Sequence, residues 1–209
     1  MNGHVRLHCL RHAESENVVT GTAGAQPSAA LTARGRTQAA EAGLRLGGQG
    51  ITHVYAGTAL RARQTAAIVA RTLGLTAGLT AGVTVVPGLE EVGLGRMEGT
   101  RDPGVRARTA EVLRSWVVDG DLDEAVGDGE SGHTVTARVT AALTSLVAAH
   151  PGGTIAVVGH VASLTAGLGA LCGLGGRVWG APLPHAVPFL VEYGAGPGPA
   201  WRCPDWPGE

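Results

Sequence analysis

The sequence contains no lysine; all 16 of its basic residues are arginines. Catalysis through a lysine Schiff base and a Walker-type phosphate-binding lysine are therefore both excluded. Aromatic residues make up only 3% of the chain, so the core must be built from the aliphatic members of its 44% hydrophobic residues. Cysteine is scarce too: Cys9, Cys172 and Cys203 are far apart, and no CxxC pair occurs. This pattern indicates neither a zinc ribbon nor a disulfide framework.

A strong net charge and long hydrophobic runs are also lacking. The formal net charge is -1, so no global field attracts nucleic acid or an anionic membrane. The first residues include no apolar run typical of a signal peptide, and the other apolar runs are too short and glycine-broken to span a bilayer. We therefore expect a cytoplasmic protein without nucleic-acid or membrane partners. The length of 209 residues favours a single domain over 1–209, and the sequence leaves a homodimer open.

Apolar runs alternate with amphipathic stretches along the chain. Strands are predicted at residues 5–10, 51–57, 83–86, 154–160 and 187–194, with a short edge strand around Trp201. Helices are predicted from the N-cap Thr32 to Gly47 and over 59–74, 104–118, 134–150 and 161–173. Strands that alternate with helices predict a largely parallel sheet that is covered on both faces.

Two local patterns add detail to this prediction. The helix over 59–74 is predicted to bury one apolar face at helical spacing, formed by Leu60, Ala67, Ile68 and Leu73. After this helix the tetrapeptide LTAG occurs at 75–78 and again at 79–82, which indicates a small duplication that lengthens a loop.

Charged and titratable side chains follow the predicted strands. Arg11 and His12 come at the end of the first strand, Arg61 follows the second, and His160 ends the fourth. A pair of glutamates at 90–91 follows the third strand. In a parallel sheet, ligands bind beyond the carboxyl ends of the strands, so these groups are predicted to converge.

This set of side chains suits phosphoryl transfer. Arginine presents a planar fork of donors that fits phosphate oxygens, and nearby guanidinium groups keep a histidine neutral at neutral pH. A neutral imidazole beside a clamped phosphoryl group is a nucleophile, and a carboxylic acid can protonate the leaving oxygen. Phosphoryl transfer depends mainly on positioning and charge stabilisation, which these groups supply without a metal or cofactor. The expected partner is therefore a small phosphorylated substrate.

Six short motifs occur in the order and spacing of a known family. They are LRHAES, LTARGRTQA, YAGTALRARQTA, LEEVGLGRMEG, GES and VVGH. They extend from about residue 5 to about residue 190 and resemble the histidine phosphatase superfamily, whose fold is phosphoglycerate-mutase-like. The resemblance implies a three-layer α/β/α sandwich with a mostly parallel central sheet, a small helical cap inserted at about 92–130, and a phosphohistidine intermediate.

The resemblance also implies roles for individual residues. Three would be catalytic: His12 as the nucleophile, Glu91 as the proton donor and then the base for water, and His160 beside the phosphoryl group. Three would bind the phosphoryl group: Arg11, Arg61 and Asn17. We prefer Glu91 to Glu90 as the acid because Glu91 lies eight residues before Gly99, which is the spacing of the family. No metal site is implied.

The chain departs from the family pattern next to both histidines. Ala13 and Val161 stand where the family usually has glycine, and Gly57-Thr58 replaces a usual serine. The backbone amides of residues 13 and 161 can still donate to phosphate, but a valine side chain narrows the pocket and disfavours positive φ. These departures keep open an alternative, a catalytically inactive member of the fold that binds a phosphate ligand.

The segment 91–130 is short and contains no lysine, which resembles the small broad-specificity phosphatases more than the glycolytic mutases. We therefore expect a phosphatase for small phosphomonoesters, with a phosphoglycerate-type mutase as the alternative. Glu130 is interpreted as a loop-ordering carboxylate, and His185 as a candidate for the substrate rim. A solvated helix face and a contact with a substrate carboxylate are both open for three arginines of the segment: Arg101, Arg106 and Arg108.

Overall fold

A six-stranded sheet forms the centre of the molecule. The computed structural model describes residues 3–75, 82–180, 182–194, 196 and 200–207. The strands are β1 (Val5–Arg11), β2 (His53–Ala56), β3 (Val83–Val85), β4 (Thr154–Gly159), β5 (Phe189–Tyr193) and β6 (Trp201–Arg202). Their order is β3-β2-β4-β1-β5-β6, in which the first four are parallel, β5 is antiparallel to β1, and β6 to β5. The predicted mostly parallel sheet is confirmed, whereas the LTAG repeat lies largely outside the described residues.

Helices cover both faces of this sheet. The helices of the described residues are α1 (Glu16–Val19), α2 (Ala33–Arg45), α3 (Leu60–Thr72), α4 (Pro103–Arg114), α5 (Gly132–Ala149) and α6 (Val161–Leu171). Of these, α2 and α3 lie on one face of the sheet, and α5 and α6 on the other. Leu10 and Val158 belong to the core shared with α2 and α3, whereas Leu7 and Val157 belong to the core shared with α5 and α6. Successive residues of a strand point to opposite faces, so β1 and β4 are buried from both sides. The predicted three-layer α/β/α arrangement is confirmed.

The buried face of α3 differs from the predicted one. Ala67 is exposed, and Leu60, Ile68 and Leu73 are only half-buried. The residues that α3 buries are mostly small: Arg61, Ala62, Thr65, Ala66, Val69 and Ala70. Their size permits close helix packing, as on the neighbouring α2, where a Cβ added at Gly43 would lie 2.6 Å from the Cβ of Thr72. The prediction was wrong because it ranked residues by hydrophobicity and left Arg61 off the buried face.

Residues 92–130, where the resemblance implies an inserted cap, contain one α-helix and two short helical turns. A 3₁₀ turn at Gly95–Met97 precedes α4, and a π-helical turn at Ser115–Asp119 follows it, where the sequence predicts one helix over 104–118. Trp116 is buried in the core, and its indole N–H donates to a backbone carbonyl of the same segment. Within the described part of the chain, no helix is both long enough and apolar enough to cross a membrane.

Candidate active site

The carboxyl ends of β1 and β4 bring two histidines together. The strands are parallel neighbours, and Arg11 at the end of β1 pairs with Gly159 at the end of β4. The backbone N–H of His12 donates to the carbonyl of Gly159 at 2.9 Å, so His12 and His160 leave the sheet side by side. Their ring centroids are 5.1 Å apart. Strand register alone therefore places these two imidazoles in contact.

His12 has a defined tautomer. Its Nδ1 lies 2.7 Å from the carbonyl oxygen of Ala13, and because a carbonyl only accepts, Nδ1 carries the proton. The lone pair is therefore on Nε2, which accepts from Nε of Arg61 at 3.1 Å. Burial, then the neighbouring His160, Arg61 and Arg11, hold the pKa of His12 well below its ordinary value. The ring is a neutral imidazole with its free nitrogen turned toward a guanidinium group.

Arg61 is a buried cation without a carboxylate partner among its hydrogen bonds to the described residues. It donates from Nε to His12, from Nη1 to the carbonyl of Gln26 at 2.7 Å, and from Nη2 to Nδ1 of His160 at 3.2 Å. Its side chain is almost fully buried, and burial lowers its pKa. Gln26 adopts a φ of 37°, a strained conformation for a non-glycine residue that occurs often at functional sites. The carboxylates of Glu91 and Glu98 are near enough to raise the pKa of Arg61, but neither accepts a hydrogen bond from it. A buried guanidinium whose hydrogen bonds go to neutral groups is costly and favours the binding of an anion.

Arg11 is held by a loop from the C-terminal part of the chain. Its Nη1 donates to the carbonyl of Leu183 at 3.0 Å, and its carbonyl accepts from the N–H of Ala186 at 3.0 Å. Nε of Arg11 is buried without a hydrogen-bond partner among the described residues. His185 lies in the same loop and donates from Nδ1 to the carbonyl of His12 at 3.0 Å, but it does not line the cavity described below. The loop thus supports Arg11 and His12 from behind.

His160 lies behind His12 and Arg61 instead of on the cavity wall. It is fully buried, and burial followed by Arg61 and Arg11 holds its pKa well below the ordinary value. Because Nδ1 accepts from Arg61, Nε2 carries the proton and has no acceptor among the described residues.

Gly57 follows β2 and packs closely against the backbone of another loop. A Cβ added at Gly57 would lie 2.7 Å from the carbonyl oxygen of Leu89. Packing against that carbonyl therefore explains why glycine stands at position 57.

Glu91 reaches the start of α6. Its carboxylate accepts from the N–H of Ser163 at 3.0 Å, from that of Ala162 at 3.3 Å, and from its own neighbour Val92 at 3.0 Å. The first amides of a helix lack partners within the helix, so a carboxylate satisfies them. Glu90 instead accepts from the N–H of Gly88 at 2.6 Å and is not part of the cavity wall. Only the second glutamate of the pair lines the cavity.

A salt bridge between Glu130 and Arg138 holds the loop that carries Glu91. Arg138 donates to both carboxylate oxygens of Glu130 at 2.8 Å, and to the carbonyls of three loop residues: Gly88, Glu90 and Glu91. Glu130 also accepts from the N–H of Gly93 at 2.8 Å. Burial raises the pKa of Glu130, but the hydrogen bonds from Arg138 and Gly93 outweigh it and leave the pKa below its ordinary value. The sequence pointed to Glu130 as loop-ordering and missed Arg138.

These groups surround a cavity of about 300 Å³. Its wall includes five of the six residues that the sequence singled out for the site: Arg11, His12, Asn17, Arg61 and Glu91. Asn17 lies on α1, and its Oδ1 accepts from the hydroxyl of Ser15 at 2.7 Å, which leaves its NH₂ group available for a ligand. The wall also contains Arg106 and Thr109 of α4. The sixth residue, His160, is buried and is not part of the cavity wall.

The two residues that replace the usual glycines fit without backbone strain. Ala13 is buried, and its N–H donates to the hydroxyl of Thr65 at 3.1 Å. Val161 is the first residue of α6 and lines the cavity. Neither has a positive φ, so glycine is not required at either position. Val161 therefore adds an apolar surface to the cavity.

The family model of the histidine phosphatase superfamily (branch 1) matches residues 7–195. The chain belongs to this superfamily. Among its relatives is the "Probable phosphoglycerate mutase GpmB" of Citrobacter koseri, 29% identical over 170 residues, which cover 81% of this chain and 76% of the relative.

The solved structures similar to this histidine phosphatase superfamily member include small phosphatases. A mycobacterial glucosyl-3-phosphoglycerate phosphatase has a TM-score of 0.76 and 25% identity, with 97% of this chain and 98% of that chain covered. The α-ribazole phosphatase of Shigella flexneri has a TM-score of 0.72 over 95% and 94% of the two chains. At 22% identity this second likeness concerns the fold alone.

Proposed function

We propose that this protein hydrolyses small phosphomonoesters through a phosphohistidine intermediate at His12. One observation carries the proposal: the buried guanidinium of Arg61 donates to neutral groups, and one of these is the free nitrogen of His12. A phosphoryl dianion in the adjoining cavity would accept from Arg61 in place of His12, compensate the charge of Arg61, and leave the lone pair of Nε2 free to attack phosphorus. The likeness to a mycobacterial phosphatase of a phosphorylated metabolite supports the same reaction class.

In the first step, Nε2 of His12 attacks phosphorus. The N–P bond forms, the ester P–O bond breaks, and the leaving oxygen takes a proton from the carboxylic acid of Glu91. Arg11 and Arg61 hold the phosphoryl oxygens, and the buried Nε of Arg11, which lacks a partner among the described residues, supplies one donor. Asn17 supplies a further amide donor from the cavity wall. His160 orients Arg61 through its Nδ1.

In the second step, water attacks the phosphorus of the phosphohistidine. The Glu91 carboxylate takes a proton from the water, the N–P bond breaks, and neutral His12 and inorganic phosphate result. The sum is the hydrolysis of an ester to an alcohol and phosphate. A mutase would instead return the phosphoryl group to the bound alcohol. Because the chain is similar to a probable phosphoglycerate mutase, the mutase reaction is the alternative to test beside hydrolysis.

The test is phosphate release from p-nitrophenyl phosphate at mildly acidic pH. We expect turnover by the wild-type protein and none by His12→Ala, because the nucleophile is then absent. His133→Ala is the matched control, because His133 is exposed on α5 and is not part of the cavity wall. This variant should retain wild-type turnover. A chelator should leave activity intact. Equal background rates for wild type and His12→Ala would refute the hydrolase, and isomerisation of 3-phosphoglycerate without phosphate release would favour the mutase.

A further inference from the structure

Helix α4 contributes a third arginine to the cavity wall. Arg106 and Thr109 lie three residues apart on α4, so both side chains occur on the same helix face, and both line the cavity. The hydroxyl of Thr109 donates to the carbonyl of Val105 at 2.8 Å. Since that hydroxyl proton is already engaged, recognition of a charged group on this side of the cavity falls to Arg106.

Arg106 differs from the neighbouring arginines of α4 because it forms no ion pair with any residue that the structure describes. Arg108 pairs with Glu124 at 3.0 Å and with Glu111 at 3.5 Å, and Arg114 pairs with Asp119. The side chain of Arg106 makes no hydrogen bond or ion pair to any residue within the described ranges. The other two arginines of α4, Arg108 and Arg114, have carboxylate partners nearby. The arginine of α4 without such a partner among the described residues is the one that lines the cavity.

The guanidinium of Arg106 is packed against the loop that follows α1. A Cβ added at Gly21 would lie 2.5 Å from Nη1 of Arg106, and Gly21 has a φ of 66°. Glycine at this position therefore both permits the turn and leaves room for the guanidinium. The side chain of Arg106 is exposed, and its guanidinium lies at the mouth of the cavity, between this loop and α4.

The charges of the cavity wall leave one cation uncompensated. Arg11, Arg61 and Arg106 are the three guanidinium groups, and Glu91 is the one carboxylate on the wall among the described residues. A phosphoryl dianion matches Arg11 and Arg61, and Glu91 must be protonated when it donates to the leaving oxygen. The charge of Arg106 then faces the leaving part of the substrate, across apolar surface from Val18, Val92 and Leu94.

We propose that Arg106 binds a second anionic group, carried by the leaving part of the substrate. The inference rests on the proposed phosphomonoesterase function and narrows it: the preferred substrates are small phosphomonoesters with a carboxylate or a second phosphoryl group, and neutral sugar or alcohol phosphates are poor ones. Arginine binds a carboxylate and a phosphoryl group through the same bidentate donors. The structure therefore indicates that the second group is negatively charged, and the test below decides between a carboxylate and a phosphoryl group.

The test compares three substrates that differ in one substituent. Glycerol 3-phosphate is the neutral reference, 3-phosphoglycerate carries a carboxylate, and glycerol 1,3-bisphosphate carries a second phosphoryl group. We expect kcat/KM of the wild type to be higher for at least one anionic compound than for the reference, and the preferred one identifies the anion. A hydrogen bond to a charged group corresponds to a loss of roughly 10- to 100-fold when it is removed, so Arg106→Gln should reduce the preference by about that factor.

Two variants control for general damage to the protein. Arg106→Lys keeps the charge and should retain part of the preference. Arg108→Gln removes an ion-paired arginine two residues further along the same helix and should keep the wild-type ratio. A preference that is absent in the wild type, or that survives intact in Arg106→Gln, overturns the inference.

Binding to His12→Ala separates this inference from the proposed function. Isothermal titration calorimetry of the three compounds with His12→Ala, and with His12→Ala combined with Arg106→Gln, measures the same preference without turnover. If no compound is hydrolysed by the wild type but Arg106 still determines the ratio of Kd values, the phosphatase proposal fails and the second-anion site stands. If turnover is present and neither ratio depends on Arg106, the second-anion site fails and the phosphatase proposal stands.

Discussion

The salt bridge between Glu130 and Arg138 gives the most specific prediction about how the site is held. Glu130→Gln keeps the volume of the side chain and one carbonyl oxygen, but it removes the charge and one acceptor for Arg138. The two side chains are only 25% and 19% exposed, and their hydrogen bonds measure 2.8 Å. We expect a loss of about 2–3 kcal/mol in the free energy of unfolding, because a largely buried guanidinium loses its bidentate carboxylate partner and keeps the longer contact with Glu90, at 3.9 Å. For a chain of this length the loss corresponds to a fall in Tm of about 4–12 °C.

The same substitution should affect catalysis through Glu91. Arg138 donates to the carbonyl of Glu91, so loosening Arg138 displaces the proposed acid from the leaving oxygen. The kcat for an alkyl phosphate, whose leaving group needs a proton, should fall more than the kcat for p-nitrophenyl phosphate, whose leaving group does not. This difference between substrates is the readout that a purely structural role of Glu130 would not produce.

Glu111→Gln is the matched control for this experiment. Glu111 pairs with Arg108 at 3.5 Å, and the two side chains are 67% and 46% exposed, so the same substitution should change the stability by less than about 0.5 kcal/mol. Thermal unfolding and steady-state kinetics on both substrates are measured for the three proteins. The reasoning about the salt bridge is wrong if the Tm of Glu130→Gln equals that of Glu111→Gln. It is also wrong if folded Glu130→Gln loses the same fraction of kcat on both substrates.

Two further predictions concern the histidines and the acid. Because burial holds the pKa of His12 and His160 below the ordinary value of 6.5, the unfolded chain binds more protons than the native state below that pH. The free energy of unfolding from urea titrations should therefore fall as the pH drops from neutral toward 5, by up to about 1.4 kcal/mol per pH unit for each histidine; a pH-independent value would contradict the burial argument. Glu91→Gln should lower kcat/KM for an alkyl phosphate by roughly 100-fold or more and much less for p-nitrophenyl phosphate, and equal losses would remove Glu91 as the acid.

Much of the site could be predicted because its residues follow directly on the apolar runs that form the strands. IAVVGH is apolar up to its last residue, all six residues of β4 are buried, and the histidine that follows is therefore at a strand exit. Likewise, Arg11 is the last residue of β1 and His12 follows it directly. In a parallel sheet such exits meet at one edge, so the positions of these residues follow from a one-dimensional pattern.

The parts that sequence reasoning missed depend on contacts between distant segments. Arg138 lies between Val135 and Val139, which are buried, and an arginine within that apolar helix is the one local signal of a buried partner. Its carboxylate, Glu130, and its backbone acceptors on the loop at 88–91 cannot be read from local periodicity. Likewise, the carbonyl of Gln26 that accepts from Arg61 is a backbone group, and no residue type identifies it in advance.

The buried face of α3 was mispredicted for a related reason. Hydrophobicity ranks Leu60 and Ile68 above alanine, but close packing of α3 against α2 and the sheet selects small residues. Arg61 shares that face because its guanidinium reaches the edge of the sheet where His12 and His160 emerge. A functional cation on a buried face breaks the amphipathic pattern, which is where sequence-based prediction is expected to fail.

The phosphohistidine intermediate can be tested by trapping the phosphoryl group on the protein. The wild-type protein is mixed with p-nitrophenyl phosphate, quenched within the first turnovers at alkaline pH, digested, and examined by mass spectrometry. We expect one phosphoryl group on the imidazole of His12, and none in His12→Ala. A phosphoryl group on His160 or on another residue, or turnover without any phosphorylated histidine, would contradict this proposal.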